Sequence, residues 1–103
     1  MSKYRAIKTN GYSSKKEAKR ADELRLMERA GLVVGIREQV VYTLAPSVIV
    51  HGRKRPPLRY IADFVYLENG EEVCEDVKGI ITPVYRIKRH LMKSVHGIDI
   101  KET

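Results

Sequence analysis

The chain has 103 residues, with 20 Lys and Arg against 13 Asp and Glu and a formal charge of +7; its pI is near 9.7. That length suits a single domain burying about two-thirds of its unfolded surface, and the charge favours a polyanionic partner, nucleic acid first, although a basic surface kept for solubility explains composition equally well. One cysteine, Cys74, excludes an internal disulfide, and no stretch approaches the ~20 apolar residues that cross a bilayer, so the expectation is a cytoplasmic protein with no secretory signal and no membrane partner.

Residues 1–12 are polar and basic with an Asn10-Gly11 turn signal, and read as a flexible arm. Ser14 with Glu17 three residues on fits a capping box. Ala18, Ala21, Leu24 and Met27 then recur at helical spacing until Gly31, which predicts a helix from Ser14 to Ala30. From Leu32 to Leu44 the chain is β-branched and aromatic, enough for one strand or two short ones closed by Pro46. The segment His51 to Pro57, HGRKRPP, reads as an exposed loop whose Arg53, Lys54 and Arg55 are free to contact phosphates.

Two strands are expected next, Tyr60 to Leu67 and Glu72 to Lys78, joined at Asn69-Gly70, a pair that suits a type I′ hairpin. Thr82-Pro83 opens a second helix in which Val84, Ile87, Leu91 and Val95 form an apolar stripe up to Gly97, and Ile98 to Ile100 offers a last short strand. Helices and strands together predict one compact domain over residues 1–103.

With Asn69 and Gly70 as the loop, Glu68 faces Glu71, and the pairing counts back to set Asp63 opposite Asp76. Opposed carboxylates ~5 Å apart repel by ~3 kcal/mol at an effective dielectric of ~20, a cost that a hard divalent cation such as Mg²⁺ offsets. Strand alternation puts Lys78 on the face of Asp76 and turns Glu75 away; Cys74, on the Asp76 face, reads as a small buried hydrophobe. There the Lys78 ammonium could stabilise an oxyanion or position an attacking water. The competing reading is a surface hairpin decorated with charges. Against it, Asp63 interrupts the apolar run Tyr60 to Tyr66, and a carboxylate in mid-strand is rarely there for packing.

An acid, a hairpin and then acid-x-Lys, here Asp63 followed by Asp76-Val77-Lys78, resembles the PD-(D/E)xK, or restriction-endonuclease-like, nuclease superfamily. Ala62 stands where the superfamily's name implies a proline. The resemblance implies the superfamily's α/β fold, a mixed central β-sheet with an N-terminal and a C-terminal flanking helix. The stretches Ser13 to Glu17, Ala62 to Tyr66 and Glu75 to Gly79 resemble, more closely, a family of small phage proteins of unknown function, over nearly the whole chain.

The resemblance implies a Mg²⁺-dependent DNA endonuclease, with Mn²⁺ able to substitute, acting in phage recombination, repair or processing in the host cytoplasm. Asp63, Asp76 and the Val77 carbonyl would hold the metal, Lys78 would position the nucleophile, and Glu17 would be the helix glutamate that assists. Glu17 also lies in the inward stripe of its helix, although capping alone would explain a glutamate at that position. Gln39 would line the site, or else lie on the sheet surface.

On the second helix Arg86, Arg89, His90 and Lys93 oppose the apolar stripe as a basic outer face, with Lys88 nearer the cleft. His51, His90 and His96 lack the spacing of a zinc cluster. A homodimer is expected only by analogy with enzymes that cut two strands. The alternative function is a non-catalytic basic nucleic-acid-binding protein.

Overall fold

The computed structural model describes residues 14–103, so the predicted arm over residues 1–12 lies outside the described part. Helix α1 spans Lys15–Arg29. The Ser14 hydroxyl caps it by accepting the Glu17 N–H at 3.1 Å. At its other end Gly31, at φ +78°, donates its N–H to the Glu28 carbonyl at 3.0 Å while the Leu32 N–H reaches the Met27 carbonyl at 2.9 Å, a complete Schellman closure. Ala18, Ala21 and Leu24 are buried along one side. Leu24 is fully enclosed, and its truncation to Ala should cost about 3 kcal/mol.

Strand β1 (Val34–Ala45) runs as one piece. It is followed by a small separate hairpin, β2 (Val48–Val50) with β3 (Arg53–Arg55), and then by β4 (Leu58–Glu68), β5 (Glu71–Asp76), helix α2 (Pro83–His96) and β6 (Lys101–Glu102). The main sheet is mixed, in the order β1-β4-β5-β6, antiparallel except where β5 meets β6. Among the described residues no helix is long and apolar enough to cross a membrane.

The predicted turn sets the register of β4 and β5. Asn69 and Gly70 take φ of +54° and +79°, the left-handed values a type I′ turn requires, and Glu68 pairs with Glu71 and Phe64 with Glu75. The next pair in that register is Asp63 with Asp76.

Three expectations are corrected. The segment from His51 to Pro57 is not a loop throughout: Arg53, Lys54 and Arg55 pair with Val50, Ile49 and Val48 across a His51-Gly52 turn with both residues at positive φ. The last strand is β6, later than Ile98 to Ile100, and it follows Asp76 with two further main-chain bonds, Thr103 N–H to Asp76 O at 3.0 Å and Lys78 N–H to Thr103 O at 2.9 Å.

The third correction concerns α2. Its buried residues are Tyr85 and Met92, whereas Val84, Ile87 and Val95 are more than half exposed and Leu91 only partly covered. The inward side carries Tyr85 because that ring has specific partners at the sheet, and a helix that is apolar in several directions cannot declare which one wins.

Two apolar clusters flank the sheet. One joins Tyr60, Ala62, Val65 and Cys74 to Tyr85 and Met92 of α2; the other joins Phe64 and Tyr66 to Ala21 and Leu24 of α1. Ala62 and Phe64 are two apart and would share a face of a regular strand, yet they belong to different clusters. The pleat therefore reverses between them, at Asp63. Across from Asp63 in the same register lies Gln39, at φ +53° in mid-strand. That left-handed residue lets β1 follow the reversal: Ile36 packs with the α1 cluster, and Val40 and Tyr42 with the α2 cluster.

Candidate active site

The reversal leaves Asp63 belonging to neither cluster and half-buried at the seam between them. Its Oδ2 accepts the Val77 N–H at 2.9 Å. Burial, and then the Asp76 carboxylate facing it, push the Asp63 carboxyl up to about 7 against the opposing pull of the Val77 amide, with the Glu17 charge adding to the rise. The Asp76 carboxylate thus disfavours ionisation of Asp63.

Asp76 is buried, and its Oδ2 lies 2.6 Å from the Lys78 ammonium. That approach is an ion contact of poor hydrogen-bond direction, so this buried oxygen has no well-directed donor among the described residues, and neither has the buried Tyr60 hydroxyl. Burial and the nearby Asp76 carboxylate push the Tyr60 phenol up. An acceptor oxygen with lone pairs to spare, beside a second carboxylate that resists ionisation, is a donor set suited to a hard cation. Among the described residues no three His, Cys, Asp or Glu side chains gather into a ready ligand group; Mg²⁺ takes only one or two carboxylates and completes its shell with water and phosphate.

Lys78 lies two residues past the end of β5, so strand alternation does not itself hold it in place. Its ammonium sits 3.8 Å above the Tyr85 ring, an attraction of about 1 kcal/mol. The Tyr85 hydroxyl donates to Glu102 Oε2 at 2.6 Å, the main chain of Lys78 is held by Thr103, and its carbonyl accepts the Lys16 ammonium at 2.6 Å. Tyr85 and Glu102 are neighbours of the candidate site that sequence reasoning missed, since both lie far from the motif and no spacing rule links them to it.

Glu17 is buried at the start of α1 and lines the same cavity, of about 440 Å³, as Asp63, Asp76, Val77, Lys78, Tyr85 and Lys88. Its backbone serves the cap while its carboxylate accepts from Gln39 Nε2 at 3.3 Å. Gln39 itself is exposed and reaches the cavity through Glu17.

Glu75 points to the opposite side. It is fully buried and receives Arg20 through two bonds of 2.6 and 3.0 Å, the Tyr66 hydroxyl at 2.6 Å and the Thr103 hydroxyl at 3.0 Å. Burial opposes its ionisation, but Arg20 and Tyr66 outweigh that and hold its carboxyl below the usual value.

On the expected basic face of α2, Arg89 pairs with Glu102 at 2.9 Å and Lys93 with Asp99 at 2.9 Å, while Arg86 and His90 are exposed beside the C-terminal segment. Lys88 has no acidic partner among the described residues. Arg53, Lys54 and Arg55 are exposed and likewise without acidic partners among the described residues.

A family model described as a protein of unknown function, DUF1064, matches residues 1–103. No curated protein matches the chain, and neither does any solved structure.

Proposed function

The chain belongs to DUF1064, a family of unknown function, and from its site we propose that it is a divalent-metal-dependent endonuclease that hydrolyses phosphodiester bonds of DNA, with a reduced restriction-endonuclease-like core. The observation that carries the reading is the convergence of Asp63, Asp76 and the Lys78 ammonium at one end of the β4–β5 hairpin, in a cavity that Glu17 also lines. Asp63, Asp76 and the Val77 carbonyl would hold Mg²⁺, or Mn²⁺ in its place. When bound, the cation supplies Lewis-acid stabilisation of the charge that develops on the phosphoryl oxygens.

The chain's own groups do the rest. Lys78 presents an ammonium to the incoming water or to a non-bridging oxygen, and Tyr85 and Asp76 confine it to that position. Glu17, steadied by Gln39, faces the same space and can accept a hydrogen bond from the water. Lys88 at the cavity wall meets a flanking phosphate. The pleat reversal at Asp63 supports this reading, because it sets that carboxylate at the seam between the two apolar clusters, in the cavity that buried Asp76 also lines.

The test is cleavage of supercoiled and linear DNA by the purified protein with Mg²⁺ or Mn²⁺, with excess chelator, and by Asp76→Asn. Metal-dependent cleavage lost in the variant is expected. Binding without cleavage under every metal condition would instead make the protein a non-catalytic nucleic-acid-binding module.

A further inference from the structure

The β2–β3 hairpin is the part of the molecule that packing explains least. Its two strands pair with each other, and all six residues, Val48, Ile49, Val50, Arg53, Lys54 and Arg55, are exposed; Ile49 is 72% accessible. A lone two-stranded hairpin is marginal in water, and three exposed β-branched residues on it serve no core.

Charge identifies the occupant. No Asp or Glu occurs between Glu38 and Asp63, while Arg53, Lys54, Arg55 and Arg59 all do. The three cations of β3 have no acidic partner among the described residues, unlike Arg89 and Lys93 on α2. A second copy of a chain with formal charge +7 would bring like charge against like; a polyanion would not. The pairing Val48 with Arg55 and Val50 with Arg53 places two arginines and two valines on one face, with Ile49 and Lys54 on the other. Arginine forks read guanine O6 and N7, and small apolar side chains meet thymine methyl groups. The major groove of B-DNA is wide enough for a two-stranded ribbon.

We propose that the β2–β3 hairpin is a ribbon that lies in the major groove of duplex DNA, with its Val48, Val50, Arg53 and Arg55 face against the base edges. The proposal rests on the nuclease reading for the location of the cut. Lys54 and Asp63 are nine positions apart, an extended reach of at most ~30 Å, so the ribbon meets the groove within about nine base pairs of the scissile phosphate. Duplex RNA is excluded as the occupant, because its major groove is too narrow for side chains to read.

The test is binding of the full chain to a 30-base-pair DNA duplex in excess chelator, with dimethyl sulfate probing of guanine N7, beside the triple variant Arg53→Ser, Lys54→Ser, Arg55→Ser. The wild type should protect a short run of guanine N7 positions. The variant, with an unchanged melting temperature because all three side chains are exposed, should lose that protection, and its slope of log affinity against log salt should become shallower. Absence of protection in the wild type overturns the proposal whether or not the variant folds. So does an unchanged salt slope, or tighter binding to duplex RNA or to anionic vesicles than to DNA. Protection without any cleavage in Mg²⁺ would sink the nuclease reading and keep the ribbon; cleavage without protection would do the reverse.

Discussion

Asp63 Oδ2 accepts the backbone N–H of Val77 at 2.9 Å, which ties the first acid of the site to the residue between Asp76 and Lys78. On the proposed reading, Asp63, Asp76 and Lys78 should act as one unit. Asp63→Asn, Asp76→Asn and Lys78→Ala should each lower single-turnover cleavage of a labelled duplex by about a hundredfold or more, and pairs of these changes should cost little beyond either alone. An Asp76→Asn enzyme that keeps its rate would remove the proposed site.

Glu75 adjoins Asp76 in sequence but belongs to a different structure, the buried pair with Arg20. Glu75→Gln should therefore lower stability, by about 3 kcal/mol in urea unfolding, while the cleavage rate of the folded protein at low temperature stays within a few-fold of wild type. The folded carboxyl lies below its ordinary value, so its contribution is present above the unfolded value of 4.5 and is lost as pH falls through the folded value. The gap between wild type and variant should accordingly close in acid. A variant of normal stability and no activity would place Glu75 in the chemistry.

The hairpin and its opposed acids were legible because Asn69-Gly70 fixes a register, and one register fixes every cross-strand pair after it. The ends of α1 were legible for the same local reason, from Ser14 and Gly31. What local signals could not give was the reversal of the pleat at Asp63. It depends on Gln39 holding φ +53° under tertiary constraint, and glutamine carries no mark of that conformation. The orientation of α2 was hidden because Tyr85 is chosen by Lys78 and Glu102, partners 7 and 17 residues away, over the more regular stripe of Val84, Ile87 and Val95. The β2–β3 hairpin was masked by its own arginines and by Pro56-Pro57, which read as loop although Val48, Ile49 and Val50 precede a tight turn.

The cations of α2 divide by their partners. Lys88→Ala should weaken binding of a catalytically inactive variant to DNA several-fold and reduce the salt slope by about one, because Lys88 has no acidic partner among the described residues and lines the cavity. Lys93→Ala should leave both almost unchanged, since its ammonium already faces Asp99. Equal effects from the two would mean that the helix contributes a diffuse field rather than a contact.

The C-terminal strand holds Lys78 in place. Removing residues 101–103 deletes the bonds from Thr103 to Asp76 and Lys78 and the Glu102 acceptor of Tyr85. The truncated protein should lose kcat while KM for DNA changes little, because what is lost is the position of an ammonium and not a surface for binding. A change confined to KM would assign the strand to substrate contact instead.

The opposition of Asp63 and Asp76 makes its own prediction for stability. The folded Asp63 carboxyl titrates near 7 against an unfolded value of 3.8. Between these the folded state binds more protons, so the stability of the metal-free protein should fall as pH rises from about 4 to 7 and then level off. Asp63→Asn removes the titrating group but keeps an oxygen for the Val77 N–H. In chelator the variant should thus match wild type near pH 4 and exceed it increasingly up to pH 7, by about 2 kcal/mol after allowance for solvent screening, or roughly 10 °C in Tm for a chain of this size. Divalent metal should reverse the order. It stabilises the wild type by RT ln(1 + [L]/Kd), an increment that the variant should mostly lack. Proton and cation also compete for Asp63, so the apparent pKa of wild-type activity should move downward as Mg²⁺ is raised. A variant less stable than wild type at pH 7 in chelator, or one with an undiminished response to Mg²⁺, would show that the two carboxylates do not share a site.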